Sequence, residues 1–256
     1  MALIEVIGQD RSTEQSRRLS TDYFTVSYCY SPSPTEGRVN EDCFLIKQFS
    51  DDSILMVVAD GLGGHRGGAQ ASEIVTKAFA KLHANSSFSE VIDYIDQAHQ
   101  DIEALKLGSG STATGAFIKA NKVRFFNAGD SPGFLISGHK QIRFQTIEHS
   151  PVGMAEFSGF IDSDEAKEHE KSHEIISALG LNPLYVSISG WMELNERDYV
   201  LLASDGLTSN FSIDQVSEHL TTADSGNCLD PMAAQIRDHM LAGGHPDDLT
   251  LLLYHK

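Results

Sequence analysis

The 256-residue sequence has few cysteines, few basic residues and no long apolar run. Its three cysteines are scattered without a Cys-x-x-Cys pair, which argues against a disulfide framework or a cysteine-rich zinc site and fits a reducing cytoplasm. No stretch reaches the roughly 18 apolar residues of a transmembrane helix, and the N-terminal apolar patch is too short for a secretory signal. Because 36 acidic residues outnumber 19 Lys and Arg, leaving a net charge of −17, nucleic acids and anionic membranes are not expected partners.

Short apolar runs separated by turn residues predict many strands. The predicted strands are 24–30, 53–59, 113–119, 122–127, 133–137, 140–146, 184–189, 198–203 and 249–254. Apolar residues with helical spacing, together with a Ser212–Gln215 capping box, predict four helices at about 71–82, 88–106, 212–221 and 230–242. Strands and helices come in blocks rather than in strict alternation, so we predict an α+β fold with antiparallel sheets. Residues 1–21 are expected to be a polar leader, followed by a single domain at 22–256.

Acidic residues stand at the ends of several apolar runs. An Asp-Gly pair is by itself typical of a turn, but interior strands bring their ends together. Carboxylates that converge repel one another, and cations normally offset that cost. Oxygen ligands without cysteine suit Mg²⁺ or Mn²⁺, and two such ions sharing a water would make a site for phosphate-ester hydrolysis. The acidic positions are Glu41–Asp42, Asp60, Asp130, Asp205 and Asp247–Asp248.

A glycine-rich loop joins the second of these positions to a predicted helix. Residues 60–72 contain five glycines together with His65 and Arg66. The loop is either a flexible connection or a phosphate-binding nest at the helix N-terminus. It is not a Walker A loop, because no Gly-Lys-Ser/Thr follows, and it lacks the βαβ context of a dinucleotide-binding fingerprint.

Taken in order, these motifs resemble those of the metal-dependent protein phosphatases (PPM, the type 2C Ser/Thr phosphatases) in their compact bacterial form. The resemblance covers about 22–256, nearly the whole chain. The matching segments are Asn40–Asp42, Val58–His65 with Gly68 and Ala71–Ser72, Gly110–Ala113, Asn127–Ser131, Ala203–Leu207 and Asp247–Thr250, with 175–180 similar as well.

The resemblance implies a sandwich of two antiparallel sheets with helices on both outer faces, and a flap region at about 150–182. It implies hydrolysis of phosphoserine and phosphothreonine in proteins by a metal-activated water. The implied cofactors are two Mn²⁺ or Mg²⁺ ions, with a weaker third ion in bacterial members. The implied partners are phosphorylated proteins, in a cytoplasmic signalling circuit that opposes a Ser/Thr kinase. The sequence leaves the oligomeric state open.

Site roles follow from the resemblance residue by residue. Asp60 would bridge two ions, and the carbonyl of Gly61 would help to hold one of them. Glu41 would face that same ion, directly or through water. Asp205 and Asp247 would hold the other ion.

The remaining roles include the places where this chain departs from the family pattern. Asp130 would contribute to the third ion, whereas Asp42 and Asp248 are expected beside the ligands without being ligands. The family's phosphate-binding arginine is one residue closer to the acidic motif here, at Arg38, because Gly37 occupies the usual position. The family's closing Asp-Asn is Asp247–Asp248 in this chain, which adds a negative charge.

Further departures concern neighbours of the acidic motifs. Pro132 replaces the arginine that usually follows Gly-Asp-Ser, so altered local packing is expected without loss of metal. Eukaryotic members have histidine at the position of Leu62. Bacterial members have a hydrophobic residue there, as this chain does. His65 lies in the glycine loop and is not expected to act as general acid.

Two alternatives to an active phosphatase stay open at this point. Arg38, Pro132 and Asp248 would fit a catalytically weak or inactive relative that binds phosphoproteins as a regulator. Separately, His169, Glu170 and His173 form an HExxH pattern, which on a helix could hold zinc in a protease. The segment around it is highly charged and is therefore typical of a solvated surface.

Overall fold

A computed structural model gives the fold of the chain. It describes residues 4–8, 13–21, 24–63, 66–83, 86, 88–162, 165–166, 169–171, 174–222 and 229–256. No helix among these described residues is long and apolar enough to cross a membrane.

Seven strands form the first of two antiparallel sheets. In sheet order they are β1 (Ile4–Gly8), β4 (Cys43–Gln48), β5 (Ile54–Ala59), β8 (Ala113–Lys119), β9 (Lys122–Ala128) and β12 (Ser187–Ile188), and β13 (Met192–Glu193) also pairs with β9. Beside this sheet, β6 (Gly61–Leu62) pairs with β7 (Gly110–Ser111). Helices α1 (Arg66–Phe79) and α2 (Phe88–Ala104) cover the outer face.

The second sheet has six strands and its own helical layer. In sheet order the strands are β11 (Ile142–Gln145), β10 (Gly133–Ile136), β14 (Tyr199–Ala203), β15 (Leu249–His255), β3 (Thr25–Ser31) and β2 (Gln15–Ser20). The short helices α3 (Pro151–Phe157) and α4 (Asp205–Thr208) follow β11 and β14, and α5 (Ile213–Thr222) and α6 (Leu229–Leu241) pack on the outer face.

The main core lies between the two sheets. Phe44, Met56 and Phe125 from the first sheet belong to the same buried cluster as Tyr28 and Leu202 from the second. Two further clusters fill the spaces between each sheet and its helices. Because β4, β5 and β14 are covered on both faces, they are continuous apolar runs instead of alternating ones. The predicted α+β sandwich is therefore confirmed.

The strand registers bring the acidic motifs to one end of the sandwich. Cys43 pairs with Ala59, so the residues before β4 lie beside those after β5. Ala113 pairs with Ala128, which puts the end of β9 at the same edge of that sheet. In the second sheet Ala203 pairs with Leu251, so Asp205 lies beside the residues that precede β15. The strand topology itself thus produces the convergence that the sequence predicts.

The structure differs from the sequence-based expectations mainly at the N-terminus. The segment 1–21 was expected to be a polar leader, yet Ile4–Gly8 pairs with β4 and Gln15–Ser20 pairs with β3. Its side chains carry little strand signal, because β2 is an edge strand whose Arg17 and Arg18 point to solvent. Backbone pairing with an already buried neighbour determines the structure there.

Other boundaries shift in smaller ways. The expected strand at 184–189 is reduced to Ser187–Ile188, and β4 at Cys43–Gln48 is not among the predicted strands. The predicted capping box is confirmed, because Gln215 N donates to Ser212 Oγ at 3.3 Å and Ser212 N donates to Gln215 Oε1 at 2.8 Å. These reciprocal bonds satisfy amide groups that have no partner within α5.

Candidate metal centre

Four aspartates from both sheets share one acidic site. Burial raises the pKa of Asp60 well above its usual value, and the charges of Asp42, Asp205, Asp130 and Asp247 raise it further. Burial likewise raises the pKa of Asp130, with added repulsion from Asp205. The pKa of Asp247 rises to about 6, mainly through burial and then through Asp205. Mutual repulsion of this kind arises only where the carboxylates lie close together, so the sequence-predicted residues converge.

Asp60 is fixed from its backbone side by the loop that precedes β8. Its N–H donates to Thr112 Oγ1 at 2.9 Å, and its carbonyl accepts from Thr112 N at 2.8 Å. The Thr112 hydroxyl also lies 2.7 Å from Ser131 Oγ, next to Asp130. Gly129 makes this approach possible, since its φ is +117° and a Cβ there would lie 2.6 Å from Thr112 Cγ2. A single threonine therefore sets the spacing between two acidic turns.

Glu41 reaches the site through a close contact between two glycines. A Cβ on Gly61 would lie 2.3 Å from the carbonyl oxygen of Gly68, and a Cβ on Gly68 would overlap the Glu41 carboxylate. Ser72, one turn further along α1, donates its hydroxyl to the Glu41 carbonyl at 2.5 Å. The glycine-rich loop thus lets the start of α1 pack directly against the backbone of the acidic motif.

Asp205 is the first residue of α4 and follows the buried strand β14. Ser204 N donates to the Thr250 carbonyl at 3.0 Å, and Thr250 N donates to Ser204 Oγ at 2.9 Å. A Cβ on Gly206 would lie 2.1 Å from the Asp248 carbonyl oxygen, so only glycine allows the two chain segments to meet. These contacts hold Asp205 beside the acidic pair that precedes β15.

Asp248 binds the loop that carries the neighbouring acidic motif. Its Oδ1 accepts from Ser33 N and its Oδ2 accepts from Glu41 N, both at 2.7 Å. Asp42 Oδ2 accepts from Thr250 Oγ1 at 2.6 Å, and burial raises the pKa of Asp42. Both oxygens of Asp248 are therefore engaged by donors of the chain, which explains how an aspartate is accommodated at 248.

Arg38 stands at the mouth of the site. Its guanidinium lowers the pKa of Asp247 and Asp248, although burial keeps both above their usual values. The side chain is exposed, and its backbone N–H closes a turn on Thr35 O at 3.3 Å. Gly37 occupies that turn with φ +79°. The structure thus places a cation of the chain next to the acidic pair.

Pro132 fits its position without disturbing Asp130. It is buried directly before β10, and its carbonyl accepts from Ala203 N at 3.0 Å. Proline has no backbone N–H, but at the start of a strand that group is not needed for hydrogen bonding to the neighbouring strand. The turn is held instead by Asn127, whose side-chain amide donates to the Gly129 carbonyl at 3.0 Å.

Sequence reasoning missed two residues beside the aspartates. Burial raises the pKa of Glu148 to about 7, with contributions from Glu156 and Asp205. His149 N donates to the Gly129 carbonyl at 2.9 Å, and Gly129 N donates to His149 Nδ1 at 3.3 Å. The ring is thus neutral with its proton on Nε2, 2.8 Å from Ser187 Oγ, and burial lowers its pKa. Neither residue adjoins a glycine or a long strand, so no local signal marks them.

The donor set fits hard divalent cations. It consists of carboxylates and backbone carbonyls without cysteine, and the raised pKa values of Asp60 and Asp130 mean that their negative charge is favoured only where protons or cations offset it. Within the described part of the chain, no three His, Cys, Asp or Glu side chains are close enough to hold a single ion by themselves. Mg²⁺ commonly binds only one or two carboxylates and retains several waters as its other ligands. A site that offers each ion one or two carboxylates therefore suits it.

Some predicted features fall outside the described residues. Gly64 and His65 lie there, as do His173 and Cys228, and nothing is described for the Arg66 side chain. Of the HExxH pattern, the described residues 169–171 form a turn and not the helix that a zinc-protease motif requires.

Comparisons with known proteins agree with this arrangement. The sequence model for protein phosphatase 2C matches residues 34–241. The serine/threonine phosphatase stp of Listeria monocytogenes serotype 4b is 27% identical over 237 residues, which cover 86% of this chain and 92% of that protein. The solved serine/threonine phosphatase of S. agalactiae is 27% identical, with a TM-score of 0.76 over 91% of this chain and 99% of its own.

A further solved structure supports the fold. It is the catalytic domain of PstP in complex with two manganese ions, which is 24% identical with a TM-score of 0.72 over 91% of this chain and 97% of its own. The family model covers most of the chain, and the acidic motifs meet at one end of the sandwich. The chain therefore belongs to the protein phosphatase 2C family, the metal-dependent Ser/Thr phosphatases that its sequence resembles.

Proposed function

We propose that this chain is an active Mn²⁺- or Mg²⁺-dependent phosphatase that hydrolyses phosphoserine and phosphothreonine in proteins. The observation that carries the proposal is the convergence of Asp60, Asp130 and Asp205, from strands of both sheets, in one place where their charges repel. A chain without use for cations would gain stability by losing some of these carboxylates. All of the acidic positions of the family pattern are present.

Each acidic residue has a separate place in the proposed centre. Asp60 would hold both ions, together with the Gly61 carbonyl and Glu41 for one of them. Asp205 and Asp247 would hold the other, and Asp130 would contribute to a weaker third ion. Ions bound there would lower the pKa of a water and neutralise charge on the phosphoryl oxygens.

Protein residues outside the ligand set orient the substrate. Arg38 presents its guanidinium to the substrate phosphate, because its charge acts on both Asp247 and Asp248 and its side chain is exposed to solvent. Asp248 positions the segment from Ser33 to Glu41 through its two backbone hydrogen bonds, and that segment carries Arg38. The displaced arginine is thus compatible with phosphate binding.

The cellular setting completes the proposal. A phosphatase of this kind removes phosphate that a Ser/Thr kinase has added, so we place the chain opposite such a kinase in a cytoplasmic signalling circuit. The flap at about 150–182 borders the acidic site through Glu148 and α3, and it would contact the protein part of the substrate.

The test is hydrolysis of p-nitrophenyl phosphate and of a phosphothreonine peptide, with EDTA, Mg²⁺, Mn²⁺ or Zn²⁺. Turnover should require Mn²⁺ or Mg²⁺ and should disappear in Asp205→Asn. Measurable Mn²⁺ binding without turnover would instead favour a phosphoprotein-binding relative. Turnover of peptides only after zinc is added would favour the protease.

A further inference from the structure

A pocket of about 160 Å³ opens beside the acidic site. Its walls come from the end of β11, the segment that follows it and one side of α3, and the lining residues are Gln145, Thr146, Ile147, Glu148, Gly153, Glu156 and Phe157. Gly153 allows α3 to lie against this segment, since a Cβ there would be 2.7 Å from Glu148 Cβ. The pocket is therefore a built feature of the fold, with two carboxylates and an aromatic ring in its wall.

Glu148 faces this pocket without a cationic partner. No described residue donates a hydrogen bond to its carboxyl or pairs with it as a cation. Burial raises its pKa, and the charges of Glu156 and Asp205 raise it further. Glu148 is half-buried in the wall of the pocket, so its carboxylate is open to a ligand that enters there.

The backbone holds Glu148 firmly next to the metal centre. Asn127 Nδ2 donates to the Ile147 carbonyl at 2.8 Å and to the Gly129 carbonyl at 3.0 Å. His149 N donates to the Gly129 carbonyl on the other side of Glu148. The pocket and the turn that carries Asp130 are thus parts of one hydrogen-bonded unit, and a substrate at the centre would extend over the pocket.

We infer that this pocket binds a basic side chain, arginine above all, of the phosphoprotein substrate. The inference deepens the proposed function and rests on it. A guanidinium would bind between the carboxylates of Glu148 and Glu156, since its planar donors match carboxylate oxygens. The ring of Phe157, which is 68% exposed, and the side chain of Ile147 would cover the apolar stem of the arginine. The net charge of −17 adds a long-range attraction for basic segments.

The experiment compares phosphothreonine peptides that carry one arginine, moved through the positions on either side of the phosphothreonine, with the same peptides carrying glutamine. We expect kcat/KM to be about tenfold higher for arginine at one favoured position. In Glu156→Gln this ratio should fall to about twofold, and in Glu156→Lys it should invert. Glu193→Gln is the control, because it removes a charge on the exposed strand β13 and should keep the wild-type ratio.

Binding of the same peptides in EDTA, followed by fluorescence anisotropy, gives a second measurement that needs no turnover. The arginine peptide should bind more tightly than the glutamine peptide, and Glu148→Gln or Glu156→Gln should remove the difference. Equal ratios for arginine and glutamine at every position, or a preference that both variants retain, would overturn the pocket assignment. Absence of turnover on p-nitrophenyl phosphate would instead count against the proposed function, and the anisotropy comparison would still decide the pocket.

Discussion

Two regions of the acidic site use their carboxylates in different ways. In the first, which we call the loop clamp, Asp248 accepts hydrogen bonds from Ser33 N and Glu41 N. In the second, the central cluster of Asp60, Asp130, Asp205 and Asp247, burial and then the charges of neighbouring carboxylates raise the pKa of Asp60, Asp130 and Asp247.

The difference separates structural from functional negative charge. The carboxylate of Asp248 accepts two backbone N–H bonds and so holds two segments of the chain together. A carboxylate that faces three others destabilises the chain until cations are bound. The repulsion within the central cluster lowers the stability of the folded chain, and only metal binding explains why it is there. Removing one carboxylate should therefore change stability in opposite directions in the two regions.

The largest effect is expected for Asp60→Asn in the central cluster. It should reduce kcat/KM by about a thousandfold or more, because several kcal/mol of charge stabilisation depend on the bound ions. In EDTA the same variant should unfold at a higher temperature than wild type, since one repelling charge is lost. Asp93→Asn, on the exposed face of α2, is the matched control for charge alone. An Asp60→Asn protein that keeps its rate would rule out the proposed bridging role.

The pH dependence of stability should depend on metal. Asp247 and Glu148 have higher pKa values in the folded chain, about 6 and about 7, than their ordinary 3.8 and 4.5. The folded chain then binds protons more tightly, so metal-free protein loses stability, at most about 5 kcal/mol from these two groups, as pH rises from about 4 to about 7. Thermal unfolding in EDTA across that range measures the loss, and Mn²⁺ should remove the part that is due to Asp247. A slope that Mn²⁺ leaves unchanged would mean that Asp247 does not bind the ion.

In the loop clamp, Asp248→Asn should destabilise the protein although it removes a charge. The side-chain NH2 group of asparagine would face the N–H of Ser33 or Glu41, so one hydrogen bond would be lost. The free energy of unfolding should therefore fall by about 1–3 kcal/mol. Urea unfolding of this variant, beside Asp93→Asn, measures the difference. Stabilisation of the kind expected for Asp60→Asn would erase the distinction between the two regions.

The smallest effect is expected for Arg38→Ala. The KM for a phosphothreonine peptide should rise about tenfold while kcat changes less, because Arg38 lies at the mouth of the site and binds phosphate in the ground state as well. Arg38→Lys should recover part of the loss. Steady-state kinetics with an unchanged KM would show that Arg38 does not replace the arginine of the family pattern.

The parts of the site that depend on local sequence patterns could be predicted from the sequence. The central cluster could be predicted because each aspartate follows or precedes a strongly apolar strand, and strand pairing then brings the ends together. The capping box at Ser212 was predictable for the same reason, as it depends on neighbours in the sequence.

Other features depend on partners that are distant in sequence. Asp248 lies 215 positions from Ser33, so its role as a clamp could not be read from its neighbours. Strand β2 forms by pairing with β3 despite a polar sequence. Glu148 gains its raised pKa only from burial and from groups on other segments.

Calorimetric titration of Mn²⁺ into metal-free protein at neutral pH tests the central claim most directly. The account predicts at least two ions per chain for the wild type, fewer for Asp60→Asn and the wild-type number for Asp93→Asn. Absence of Mn²⁺ binding to the wild type, or an equal number of ions bound by Asp60→Asn, would contradict the assignment of the central cluster as a metal centre.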